Sequence, residues 1–151
     1  MMRRIFMPLL LTLALLGTTG ANAFAESQPG HQEIEGTWYF MILIDGLPPC
    51  QCIQIDTFSA EGSMEGPAND KFSSDQRGVW SRTGPGEYAI TILQNSIDKD
   101  GNAAGLFVIK SPIKLTGIDK AEGKFTFQIL SNGGAVVATG TGSLKAVRIR
   151  P

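Results

Sequence analysis

The sequence predicts an all-β protein, an antiparallel up-and-down barrel of about eight strands, with a two-sheet β-sandwich as the alternative. Three observations predict it. From residue 36 onward, apolar and β-branched runs alternate with Gly, Asn, Asp and Pro punctuation at short intervals. No window carries a sustained helical period. Strand-like runs joined by hairpin-length turns suit a meander that removes its own edges by closing, and about eight strands enclose either a side-chain core or one small ligand.

Met1 to Arg4 is a short basic start, and Ile5 to Leu16 is an uncharged apolar run too short for a permanent membrane span. Ala21-Asn22-Ala23 and Ala23-Phe24-Ala25 both fit the A-x-A cleavage pattern. Residues 1–25 therefore read as a cleavable signal peptide, with the mature start at Phe24 or Glu26. The expected product is exported, periplasmic or extracellular, and has no permanent membrane anchor. Of 13 basic side chains Arg3 and Arg4 leave with the leader, and the remaining 11 face 14 acidic ones, which argues against nucleic acid as a partner. A remainder of about 125 residues suits one domain with one core. Residues 26–35, with Pro29-Gly30, read as a polar, flexible lead-in, and the β domain is placed at 36–151.

The first strand is Thr37 to Asp45, with Trp38, Phe40, Ile42 and Ile44 on one face and Tyr39, Met41 and Leu43 on the other. Cys50 to Ser59 follows, with Ile53, Ile55 and Thr57 sharing a face. Gly62 to Asp75 is polar and reads as a short edge strand or a surface loop. Gly78 to Arg82 surrounds Trp80, Glu87 to Ile97 ends at the turn Asp98 to Asn102, and Leu106 to Ile118 contains Pro112, which marks a bulge, an edge or a break. In Lys124 to Leu130 the apolar Phe125, Phe127 and Ile129 alternate cleanly with Lys124, Thr126 and Gln128. Asn132-Gly133-Gly134 turns the chain into a closing strand, Ala135 to Ile149, whose Gly140 and Gly142 suit bends or close backbone approach.

Gly36-Thr37-Trp38 at the head of the first strand and Arg148 at the end of the last resemble the calycin superfamily, lipocalins in particular. That resemblance implies a ligand-binding barrel with Trp38 as its floor and Arg148 as a cation-π cover. Small exported barrels of the allene-oxide-cyclase or dirigent type are a similar alternative. If the apolar faces point inward, Trp38, Phe40, Ile42, Tyr88, Ile90, Ile92, Phe125, Phe127 and Ile129 line the interior.

No catalytic residues, metal site or cofactor are nominated. His31 is the only histidine and falls in the lead-in, which argues against a triad or a His-based zinc site. Cys50 and Cys52, two apart on a strand, read as a strained disulfide, a soft-metal pair with nearby Met41 or Met64, two small hydrophobes packed at the strand start, or an intermolecular bridge. Asp98, Asp100 and Asn102 lack the glycine position and closing glutamate of an EF-hand and read as a turn. Asp45, Asp56, Glu61, Glu65, Asp70, Asp75, Glu87, Asp119 and Glu122 are assigned to turns. The leading expectation is a barrel that binds a small apolar ligand without catalysis. The alternatives are a solid-core interaction module using the outer face of the first strand or the 62–75 loop, and a cyclase or isomerase with Gln94, Ser96 or Arg82 beside a cavity.

Overall fold

The computed structural model describes residues 33–49, 52–68 and 70–150. Residues 1–25, read as a signal peptide, most of the expected lead-in, His31 and Cys50 lie outside the described residues. Eight strands follow in chain order: β1 (Gly36–Ile44), β2 (Cys52–Phe58), β3 (Ser63–Gly66), β4 (Gln76–Gly84), β5 (Glu87–Ile97), β6 (Ala103–Gly117), β7 (Lys120–Ser131) and β8 (Val136–Arg148). Each pairs antiparallel with its neighbour, and β1 pairs with β8, so the sheet is a closed up-and-down barrel. The described residues contain no helix.

Register fixes which side chains face inward. Trp38, Phe40 and Ile42 on β1 stand opposite Asp56, Gln54 and Cys52 on β2 and opposite Arg148, Ala146 and Leu144 on β8. The same parity carries Tyr88, Ile90 and Ile92 and, across β6 and β7, Phe125, Phe127 and Ile129 to the inner face. On β2 the alternation runs against hydrophobicity. Ile53 and Ile55 point outward at 46% and 42% exposure, while Gln54 and Asp56 point inward at 2% and 3%. Asp56, assigned from sequence to a turn, thus lies inside a strand and inside the barrel; its apolar neighbours face water.

One end of the barrel is plugged. Trp38 donates from its indole nitrogen to the Ile34 carbonyl at 2.6 Å, and the Arg148 guanidinium lies 4.4 Å from the indole centroid. Arg148 also donates to the carbonyls of Glu33 and Glu35 and pairs with Asp119 at 3.6 Å. Residues 33–35, counted on sequence with the flexible lead-in, are therefore part of the closed end, and Ile34 is buried there. Tyr88, Phe58, Met64, Leu115, Ala121 and Ala146 complete that core.

Two local devices keep long strands regular. Pro112 lacks the donor that the Lys124 carbonyl opposite would take, and the β6–β7 ladder lapses between the Lys110↔Thr126 and Ile113↔Gly123 pairs without a register shift. Ser111 Oγ donates to that carbonyl at 3.1 Å instead, so β6 continues as one strand of 15 residues. On β8, Gly140 and Gly142 lie beneath the Phe127 and Phe125 rings, where a Cβ would overlap the ring atoms.

Replacing Arg148 with Leu removes the cation over Trp38 and the donors to the 33–35 carbonyls. Urea denaturation is expected to show a loss of about 2–4 kcal/mol, with the slope of the transition unchanged. A loss below about 0.5 kcal/mol would make the cover dispensable.

Candidate functional site

The interior above the plug is not filled. A cavity of about 1010 Å³ runs from Phe58 and Asp56 to the opposite end of the barrel. Its apolar wall comes from Phe40, Ile42, Ile90, Ile92, Ile109, Phe125 and Phe127, with Phe107 and Leu144. Phe107 and Phe127 stack at 6.0 Å between centroids, and Phe125 lies 6.4 Å from Phe127. Six of the nine side chains expected to line a barrel interior line this cavity. Trp38 is packed into the plug below it, Tyr88 lies at the closed end with its hydroxyl bonded to the Ile34 backbone, and Ile129 faces inward beyond the lining.

The mouth is formed by the β3–β4 and β5–β6 connections. Asp70, Phe72 and Ser73 line the cavity from the first, and Asp98 and Lys99 from the second. The segment 62–75, read on sequence as an edge strand or loop, is the short strand β3 followed by a loop fastened to β5. Ile97 donates its amide to the Phe72 carbonyl at 2.7 Å, Ser74 to the Asn95 carbonyl at 3.0 Å, and Gln94 Nε2 to the Ser74 carbonyl at 2.9 Å. Asp98 is occupied by its own turn, accepting from the amides of Asp100 and Asn102 at 2.9 Å each. Those bonds, the Asn102 amide first, hold its carboxyl below the ordinary range.

Among the described residues, the buried polar side chains are Gln54, Asp56, Gln76, Gln94 and Ser111, and all five line this one cavity. Ser111 is accounted for by Pro112 and Gln94 by the mouth loop. Gln54 has only long ties of that kind, donating from Nε2 to the Ile55 and Pro67 carbonyls at 3.4 Å each, and Asp56 has none. Gln54 Nε2 donates to Asp56 Oδ1 at 2.7 Å, while Gln54 Oε1 is buried without a hydrogen-bond partner. Gly66 makes the room, because a Cβ at that position would collide with the Asp56 carboxylate and with Gln54 Nε2, 2.6 Å away. Burial pushes the Asp56 carboxyl up from 3.8 to about 6, and the Gln54 hydrogen bond offsets only part of that.

Of the side chains weighed for barrel chemistry, Gln94 and Ser96 line the cavity, and Arg82 does not: it is exposed and donates to the Gly84 carbonyl at 3.1 Å. Cys52 lines the cavity and is disulfide-bonded. A soft-metal set is not assembled, since Met41 is exposed on the outer face and Met64 is buried in the plug. A second hollow of about 1000 Å³ runs beside Tyr39, Met41 and Leu43 and reaches Tyr88. Its charged liners, Glu87, Lys114, Glu122, Lys124 and Lys145, are all exposed, so it lacks the buried polar groups of the first.

Gln54, Asp56 and Gln76 were missed on sequence. The signal that could have found them is pairing parity: once Trp38 and Phe40 face inward, their β2 partners must too.

These features define a closed eight-stranded antiparallel barrel with an internal, mostly apolar cavity and one acidic polar end. No known protein family, characterised protein or solved structure matches the chain.

An acid whose folded pKa exceeds its unfolded one binds more protons folded than unfolded between the two values. Its contribution to stability therefore falls as pH rises from 3.8 to about 6 and is flat outside that window. The interval corresponds to about 3 kcal/mol. Asp56→Asn keeps an acceptor for Gln54 but cannot ionise. It is expected to match the wild type at pH 4 and to exceed it by about 3 kcal/mol at pH 7.5 in urea denaturation. A difference that does not change with pH would assign Asp56 an ordinary pKa.

Proposed function

We propose that the protein is an exported carrier or sequestering barrel that binds one small, mainly apolar molecule inside its cavity and does no chemistry on it. The observation that supports this most directly is the cavity of about 1010 Å³, walled by aliphatic and phenyl side chains and open between two loops. Ligand sites typically occupy about 300–1,000 Å³, lined by apolar groups with a few polar ones that set orientation. A void of this size costs packing energy that a protein with only structural duties would recover by filling it. The basic start, short apolar run and A-x-A sites of residues 1–25 support export. The cover of Trp38 by Arg148 and the up-and-down closure support kinship with calycins.

A cyclase or isomerase has one observation in its favour, a cavity carboxyl whose protonation falls near neutral pH. Proton relay needs a second titratable partner beside Asp56, and the other titratable groups of the described lining, Asp70, Asp98 and Lys99, come from the loops at the mouth, not from the deep end. An interaction module is favoured by the exposed Met41, Leu43, Ile53, Ile55 and Val147 on the outer wall, but its filled interior is at odds with the cavity.

Titration with a neutral, polarity-sensitive naphthalene fluorophore is expected to saturate at one molecule per barrel. Ile109→Trp, which fills the middle of the cavity, is expected to weaken binding about tenfold or more while the circular dichroism stays that of the wild type. Non-saturable binding, or saturable binding indifferent to Ile109→Trp, would overturn the reading.

A further inference from the structure

The deep end of the cavity holds hydrogen-bond acceptors that the fold leaves unsatisfied. Gln54 Nε2 spends its donors on Asp56 Oδ1 and on the Ile55 and Pro67 carbonyls, while its Oε1, nine-tenths buried or more, has no partner. Asp56 receives that one bond and no compensating cation. From β1 it is faced by Trp38 and Phe40, from β3 by Met64 and Gly66, and from β4 by Gln76, none of them charged. Arg148, the register partner of Trp38 on the β8 side, is spent on Asp119 and the 33–35 carbonyls. Elsewhere in the described lining the charged groups are Asp70, Asp98 and Lys99, and Lys99 Nζ is held 2.9 Å from Asp100. The cavity therefore carries net negative charge and unspent acceptors.

We propose that Asp56 and Gln54 form the head-group site for an amphiphilic amine, whose protonated nitrogen donates to the Asp56 carboxylate and to Gln54 Oε1 while its apolar body lies among Ile92, Ile109, Phe125 and Phe127. The proposal rests on the cavity being a ligand site and adds the class of ligand. An ammonium brings up to three donors and the charge that a buried, unpaired carboxylate lacks. A hydroxyl brings one donor and no charge. A fatty carboxylate brings a second negative charge and no donor, and is repelled. Asp56 is cradled against Gly66, a fixed wall, so the geometry is set before any ligand enters. With its carboxyl titrating at about 6, the site pairs a cation fully at pH 7.5 and loses that pairing as Asp56 takes up a proton at lower pH.

The test compares nonylamine, nonanol and nonanoate, three heads on one tail, by isothermal titration of the mature protein at pH 7.5 and pH 5.0. At pH 7.5 nonylamine is expected to bind about tenfold or more tighter than nonanol, and nonanoate more weakly than nonanol. At pH 5.0 the ratio of amine to alcohol affinity is expected to fall about fivefold or more, although the amine itself stays protonated. In Asp56→Asn the ratio is expected to approach one at both pH values, with a thermal melt confirming the fold. Equal binding of nonylamine and nonanol to the wild type, or a preference that survives Asp56→Asn, overturns the head-group assignment and leaves the cavity reading standing. Absence of saturable binding by all three overturns both.

Discussion

Seven register pairs between the first and last strands, from Trp38↔Arg148 to Ile44↔Gly142, turn a meander into a barrel. Closure does two things that no single strand could do. It pairs the backbone groups of β1 and β8 that an open sheet would leave at its edges, and it forces every strand to share one parity of inward residues. The same pairing sets Arg148 against Trp38, so the last turn of the sheet also clamps the segment 33–35 under the floor. A slip of one residue at this seam would put Tyr39, Met41 and Leu43 inside and carry Trp38 into water.

The plug and the cavity then divide the interior between them. Large side chains are concentrated at the closed end, where Trp38, Phe58, Met64, Tyr88 and Leu115 pack together, and the other half keeps its volume. Stability is thereby gathered at one end and open volume is left at the other. The cost appears at Asp56, a carboxyl taken out of water without a cation. Selection for stability alone would replace it, and the glycine that makes room for it adds backbone entropy to be lost on folding.

How much of this was legible in the sequence depended on whether a strand buries apolar or polar groups. In Lys124 to Leu130, apolar residues face inward and polar ones outward, so period two and hydrophobicity agree, and Phe125 and Phe127 were placed correctly on the inner face. On β2 they disagree. Ile53 and Ile55 sit on the solvent side and Gln54 and Asp56 inside, because a cavity with a polar end needs polar liners and the outer wall carries an apolar patch. Apolarity there pointed to the wrong face, and only the pairing with β1 reveals the inner one. Pro112 was ambiguous for a different reason: whether a proline breaks a strand depends on a substitute donor, and Ser111 supplies one. The strand β3 is four residues long, too short for any period to register, and its loop is held by contacts to β5 some twenty residues away.

The bare backbone of β8 has a consequence for how such a protein changes over time. Phe125 and Phe127 rest directly on Gly142 and Gly140, and both rings are also cavity wall. A methyl group gained at Gly140 would act as a shim behind the Phe127 ring and push it into the cavity, whereas at Gly142 it would also strike the Leu43 carbonyl of the neighbouring strand. Cavity size is thus adjustable from behind its wall, one carbon at a time, while Asp56 and Gln54 at the acidic end stay as they are. Such a barrel can change the girth of its interior without rebuilding the plug that closes it.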